Sequence, residues 1–388
     1  MLNKIALSAL MLVSVQLYAE SKWEIHPIVT VGGGYVIYVN AEQTRIWDPQ
    51  NPTISVVQDA AIHIVSQQCP NGGFGWPHDD CSATYNNITP PIMEGIHQAW
   101  KVTNNNAYLG VMVDAGNYDL QATFANTEAK FGVYTPEFMW NLSRNTGDST
   151  YTDFIETSLF TELQNSTYGP DDLDAAGWVA SVVANRQGNW INLLPWEFRS
   201  LPLIAQRHCR PAQADVFEQA LLDGFNTMND TSPNTVYNDI TGLSGGIWGL
   251  ASLNRQTFPA INAPLHAING MTSLQQLVDF LVSHQNPDGS WYWHTNLNSP
   301  SEAAKDTQST AYAVMALIKA NERLATDYLP AINLGQNWLE SMQGQFGGFI
   351  SGPGGVENTE IEAEALTALA TIGVYDKIFS NNLECYPE

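Results

Sequence analysis

Basic residues are scarce in this chain. Lys and Arg number 15 against 39 Asp and Glu, a formal net charge of −24 in 388 residues. A nucleic-acid surface needs a basic patch to displace counterions, so that class of partner is excluded. Anionic membranes are repelled for the same reason. After the first 20 residues no run approaches the ~20 apolar residues of a membrane-spanning helix, and stable membrane insertion is not expected. No Cys pair or Cys/His cluster has zinc spacing. Serine-nucleophile signatures and phosphate-cradling loops are missing, and VGGGYV lacks the helix that a dinucleotide site requires after it. Sustained strand alternation is confined to IVTVGGGYVIYV near the start.

What is present begins with an export signal. Lys4 precedes the apolar run IALSALMLVSVQL, and Ala19 offers a small residue at a cleavage point. Residues 1–19 are expected to be a signal peptide, and the mature protein secreted or periplasmic. Residues 20–50 then form an N-terminal extension, a β-hairpin candidate, and 51–388 the main domain. In an exported protein four cysteines suggest two disulfides. Cys69 and Cys81 flank CPNGGFGWPHDDC, which leaves Cys209 for Cys385; of the three connectivities this is the most local. The acidic surface suits solubility in a salty medium, and its oxygens suit Ca²⁺.

A Gln–Gly–aromatic phrase occurs three times: Gln68, Gly72 and Phe74; Gln285, Gly289 and Trp291; Gln343, Gly347 and Phe349. Widely spaced copies of one phrase are the mark of a repeat architecture whose units cannot bury their apolar faces alone. Helices rich in small and apolar residues start near Asn87, Thr135, Asp174, Asp239, Asp306 and Asn358, residues suited to helix N-caps. The last is read as an idealised NTEIEALTALA, although its text is NTEIEAEALTALA. More polar helices lie between them: ISVVQDAAIHIVSQQ, YTDFIETSLFTEL, AQADVFEQALLDGFNTM, SLQQLVDFLVSHQ and AINLGQNWLESMQ. The fold class is therefore all-α, an α/α toroid of about six helical hairpins with a short N-terminal β extension.

The stretch Gln285–Gly289–Trp291 with Asp306–Thr307–Thr310–Ala311 resembles a repeat of the terpenoid cyclase and protein prenyltransferase toroids. That resemblance implies that the glutamines and aromatics tie neighbouring hairpins together, so Phe74, Trp291 and Phe349 belong to the core. It also directs attention to GPDDLDAAGW. Terpenoid cyclases of the D-x-D-D type protonate their substrate with one Asp, but this chain has Asp172-x-Asp174 followed by Ala175. With Asp171, these carboxylates are candidate catalytic acids (Asp172, Asp174), Ca²⁺ ligands (Asp171, Asp172, Asp174) or an acidic turn capping a helix. Prenyltransferase zinc chemistry has no Asp, Cys and His set here.

The loop NGGFGWP is similar to the N-G-G-W-P stretch of helical-toroid pectate lyases, with two residues inserted. On that likeness His78 or Tyr85 would be the base, with Arg144, Arg186 or Arg199 neutralising a sugar carboxylate. Substrate-binding candidates around the expected mouth are Trp76, Trp293, His294, Asp239 and Asp306, alongside Trp190 and Trp196. For Asp239 and Asp306 the competing role is a helix cap contributing ~1 kcal/mol. Three functions are consistent with these features. The first is an exported carbohydrate-active enzyme, a polysaccharide lyase or hydrolase working in the toroid cleft. The second is a non-catalytic toroid holding a glycan or small molecule. The third is a terpenoid-cyclase-like enzyme with a degraded motif.

Overall fold

The computed structural model describes residues 23–25, 38–40, 52–76, 80–85, 88–121, 134–160, 182–184, 190–230, 239–295 and 304–373. The chain falls into two compact units, Met1–Pro52 and Thr53–Glu388. In the first, β1 (Trp23–Ile25) pairs antiparallel with β2 (Tyr38–Asn40), Trp23 opposite Asn40.

The second unit is helical. In chain order come α1 (Pro52–Val65), α2 (Thr89–Thr103), α3 (Asn106–Gln121), α4 (Thr135–Thr146) and α5 (Thr150–Ile155), which continues as a π-turn over Glu156–Phe160. Then follow α6 (Leu194–Glu197), α7 (Leu201–Arg207), α8 (Pro211–Asn226), α9 (Asp239–Ser252) and α10 (Leu274–Ser283). The last third holds the two-residue strands β3 (Trp291–Tyr292) and β4 (Lys305–Asp306), then α11 (Thr307–Asn321), α12 (Leu329–Ser341) and α13 (Thr359–Gly373).

Proline marks many of the starts. It stands in the first turn of α2, α4, α6, α7, α8 and α12. There its missing N–H is one that a helix leaves unpaired anyway, and its fixed φ is already helical.

Helices α2, α4, the α6–α7 pair, α9, α11 and α13 pack side by side in that order, and α13 returns to α2. This closes an inner ring. The outer helices α1, α3, α5, α8, α10 and α12 lie around it, and the body is an α/α toroid. Burial follows the layers: α9 is buried from Asp239 to Ala251, and α11 and α13 nearly throughout. Glycine lowers helix propensity by ~1 kcal/mol relative to alanine, yet α9 carries several. Gly242 shows why: a Cβ there would lie 1.7 Å from the Asn192 carbonyl oxygen.

The repeated phrase is the joint of the ring, with one geometry in all three copies. Gln68 Nε2 donates to the Gly72 carbonyl at 2.9 Å and to Val111 O on the next outer helix at 3.0 Å. Gln285 does the same to Gly289 O at 3.1 Å and Ala331 O at 2.9 Å. Gln343 bonds Gly347 O at 3.0 Å and Val56 O at 2.9 Å, and so ties the last hairpin to the first. The phrase glycines have φ of +88°, +96° and +96°, and added Cβ atoms would strike the carbonyls of Asp114, Leu334 and Asp59. Each struck carbonyl lies three residues beyond the one the glutamine bonds. The aromatics Phe74, Trp291 and Phe349 are fully buried, in the core role implied for them.

Two elements depart from the sequence reading. Helix α3 was not among the expected outer helices, since its two glycines and mixed polar residues leave no clear apolar stripe. Of the expected inner helix from Asp174 only residues 182–184 are described, helical and with Val182 buried, and the α6–α7 pair packs between α4 and α9. Pro195 and Pro202 stand in the first turns of those two short helices, which hid them from a search for one long periodic run. The Cys69–Cys81 disulfide is formed. Cys209 follows α7, exposed and at φ +54°, while Cys385 lies outside the described residues.

Candidate active site

The inner helices, closing a ring, bring their inward side chains to one axis. Helices α4 and α11 stand on opposite sides of that ring, and Tyr134, just before α4, hydrogen-bonds hydroxyl to hydroxyl with Tyr312 of α11. The axis is therefore crossed at this depth. Tyr312 donates onward to Glu364 Oε1 of α13 at 2.5 Å, and Gln308 Nε2 donates to Glu364 Oε2 at 2.9 Å.

Glu360 and Gln308 each lie one helical turn nearer the N-terminal ends than Glu364 and Tyr312. They form a mostly buried upper layer above a fully buried lower one.

Arg199 completes the cluster. It is 2% exposed, and its guanidinium carbon stands 4.2 Å from the Tyr134 ring centroid, 4.8 Å from Trp248 and 5.0 Å from Trp196. Trp196 packs edge-on against both Tyr134 and Tyr312. Aromatic faces attract a guanidinium but accept none of its in-plane N–H bonds. Among the described residues Arg199 Nε, Nη1 and Nη2 have no hydrogen-bond partner. Its charge acts on the buried Glu137, but its N–H donors stay open, and leaving them unmet costs free energy that an anionic ligand would recover.

The acids are held protonated. Burial pushes the Glu360 carboxyl up to about 7. Burial, then the neighbouring Glu360 charge, drives Glu364 well above the usual carboxylate range. Both tyrosine hydroxyls are raised by burial. Further along the ring, burial and then Glu94 raise Glu137, while Glu94 accepts from Gln98 Nε2 at 2.6 Å. A guanidinium with open donors, in one ring with carboxyls whose proton affinity is raised, supplies groups that can hold an anionic group and protonate an oxygen.

Among the described sequence candidates, His294 meets Asp239 and Trp293 meets Asp306. Asp171, Asp172, Asp174, His78 and Arg186 lie outside the described residues, and with them the whole Ca²⁺ set. Trp76, on the loop closed by the Cys69–Cys81 disulfide, and Tyr85, just after it, are exposed at 47% and 41%. Arg144 sits in the last turn of α4. Trp293 is exposed, and Trp190 is exposed beside Ile191–Leu193.

Asp239 is a clasp. Its carboxylate accepts from Thr295 N at 2.9 and 3.1 Å and from Thr295 Oγ1 at 2.5 Å, with His294 Nδ1 at 3.4 Å and His266 Nε2 at 3.5 Å. Burial would raise its pKa, but these partners outweigh that and hold it far below the ordinary value. Asp306 is the helix cap that its alternative role described: its side chain accepts from Ser309 N at 2.6 Å. Asn358 likewise accepts from Glu360 N at 3.0 Å. Of the sequence candidates among the described residues, Arg199 and Trp196 enter the central cluster.

Glu360, Glu364, Tyr312, Gln308 and Tyr134 were missed. The signal was in EIEAE, three acids on a helix otherwise built of small and apolar residues. Idealising that segment removed the Ala–Glu step that places Glu364.

The fold and the site define an α/α toroid with an acidic and cationic centre. No family model matches the chain, and no curated protein matches it. Solved structures do. An unsaturated glucuronyl hydrolase responsible for glycosaminoglycan degradation, from Bacillus sp. GL1, superposes with TM-score 0.58 at 15% identity, over 82% of this chain and 96% of its own. A possible GH105 member from Salmonella enterica gives 0.57 at 14%, over 85% and 96%. An unsaturated glucuronyl hydrolase variant from Streptococcus agalactiae, complexed with dGlcA-GalNAc6S, gives 0.56 at 12%, over 92% and 100%. At these identities the likeness establishes the toroid, and nothing in it supports the terpenoid cyclase side of the sequence resemblance.

Proposed function

We propose that this protein is a carbohydrate-active enzyme, a glycoside hydrolase that takes a uronate-bearing glycan into the toroid cleft. The observation that carries the reading is Arg199, a buried guanidinium in an aromatic cage whose in-plane donors have no partner among the described residues. Its planar fork matches a carboxylate bidentately. One such residue suffices to select a uronate on a surface with few bases, because open buried donors discriminate more strongly than long-range steering does. Glu360, held near neutrality, is the acid for the leaving oxygen, and Glu364 with Tyr312 and Gln308 orients the opposite face. The toroidal structures that this chain resembles include hydrolases named for unsaturated glucuronyl substrates, which agrees with a carboxylate-bearing sugar. Export through residues 1–19 would put the enzyme where such polysaccharides occur, and N-terminal sequencing of the mature protein tests that.

The test is turnover of paired oligosaccharides, one ending in a uronic acid or unsaturated uronic acid and one in the matching neutral sugar. We expect the uronide to be cleaved with new reducing ends, and Arg199→Met to lower kcat/KM by about 100-fold or more while Arg199→Lys recovers little. For an unsaturated end, hydrolysis removes the near-ultraviolet absorbance of the conjugated carbon–carbon double bond, whereas a lyase creates it. Equal turnover of the neutral sugar would sink the proposal. Tight binding of the uronide with no turnover would make the protein a glycan-binding toroid instead.

A further inference from the structure

Outside the central cluster, one group of side chains meets at the seam where the ring closes. His63 stands in the last turn of α1, Glu362 in the first turn of α13, and Glu357 on the segment between, where it forms an isolated antiparallel bridge with Ile350. His63 Nε2 lies 3.7 Å from Glu362 Oε2 and 3.8 Å from Glu357 Oε2. One ligand atom from each residue lies within 4.8 Å of the other two. These separations exceed hydrogen-bond length. They sit a few tenths above the ~3.4 Å between ligands of a tetrahedral ion with ~2.1 Å bonds.

A second observation concerns Gly348. The preceding Gly347 needs its positive φ, but Gly348 does not have one. At the corresponding position of the Gln285 phrase stands Ser290, fully buried, so the joint accepts a side chain there. At Gly348 a Cβ would come within 2.7 Å of Glu362 Oε1, 2.8 Å of His63 Nε2 and 2.8 Å of the Glu357 carboxyl carbon. Three potential ligands thus converge on the space that a side chain at Gly348 would fill.

The geometry points to a divalent transition-metal site at His63, Glu357 and Glu362, of the Zn²⁺ class, that pins the first hairpin to the last. Two carboxylates balance the ion's charge, and an imidazole ligand selects a borderline metal over the all-oxygen preference of Ca²⁺ or Mg²⁺. Three protein ligands leave a further position for water. Nothing in this site depends on the glycan reading above.

Chelator-treated full-length protein, dialysed against Zn²⁺ and assayed by mass spectrometry, tests it. Wild type should retain about one ion per chain and show a higher Tm with Zn²⁺ than with chelator. Glu357→Gln should weaken binding about tenfold or more, and His63→Gln and Gly348→Ala should abolish the metal-dependent rise in Tm. Glu357 is partly exposed, with 27% of its side chain accessible, so its variant decides the matter even if His63→Gln fails to fold. No retained Zn²⁺ in wild type, or equal retention in all variants through scattered surface carboxylates, would overturn the assignment. An unchanged Tm in wild type would leave a histidine–glutamate ion pair in its place.

Discussion

Glu360 offers the sharpest test of the central cluster, because its removal should strengthen the fold while harming activity. Its carboxyl is raised from 4.5 to about 7 by burial, with no compensating partner among the causes. A folded-state pKa above the unfolded value means that the native state binds the proton more tightly than the unfolded chain. The native state is therefore favoured at low pH, and stability declines as pH rises from about 4.5 through about 7. At pH 8 the ionised group costs the native state about 3 kcal/mol, from ~1.4 kcal/mol per pKa unit. Glu360→Gln keeps the shape and carries no charge. It should raise the unfolding free energy by about 2–4 kcal/mol at pH 8 and change it little at pH 4. Urea denaturation at both values, followed by circular dichroism, reads the difference. A variant affected equally at both values would show an unshifted Glu360, one destabilised more at pH 8 a paired charge, and either result would end the argument for a protonated acid at the centre. Turnover of the uronide by this variant should be lost at every pH, while wild-type turnover declines above pH about 7 as the acid ionises.

Two further outcomes follow from the joints and the clasp. Gln343→Met removes both amide bonds at the ring seam; Val56 lies within a helix and keeps its own backbone partner, so the loss should be about 1–3 kcal/mol. Hydrogen exchange should quicken in α1, and the matching Gln285→Met should loosen α12 instead; identical exchange patterns in the two variants would refute the joint. Asp239, whose pKa is depressed in the fold, contributes stability that is complete above the unfolded carboxylate pKa and is lost as pH falls below about 4. Asp239→Asn should therefore be less stable than wild type at pH 7, and the gap should narrow in denaturation curves recorded at pH 3.

The toroid was legible because its signals are local and repeated. Gln68, Gln285 and Gln343 each bond a carbonyl four residues ahead in their own phrase, so the spacing Gln-to-Gly carries the geometry by itself. Helix caps were legible in the same way at Asp306 and Asn358. Helix α3 and the α6–α7 pair escaped because pattern recognition needs a long unbroken stripe. The candidate site was mostly illegible. Aromatic and acidic loop residues such as Trp76 and Tyr85 drew attention by clustering in sequence, yet they are exposed on the rim.

The sequence alone determined the periodicity, the joint phrases and the scarcity of positive charge, and it made Cys69–Cys81 the most local of three disulfide pairings. Those properties reside in residue type and short spacing, which any window of the chain displays. Only the tertiary structure decided that Tyr134 meets Tyr312 across 178 positions and that Arg199 sits caged beside them. It also decided that Glu362 turns toward His63 while Glu364, two residues on, turns to the axis. Closing a ring places residues from opposite helices at one point, and the pKa of a carboxyl there depends on burial that no local spacing records.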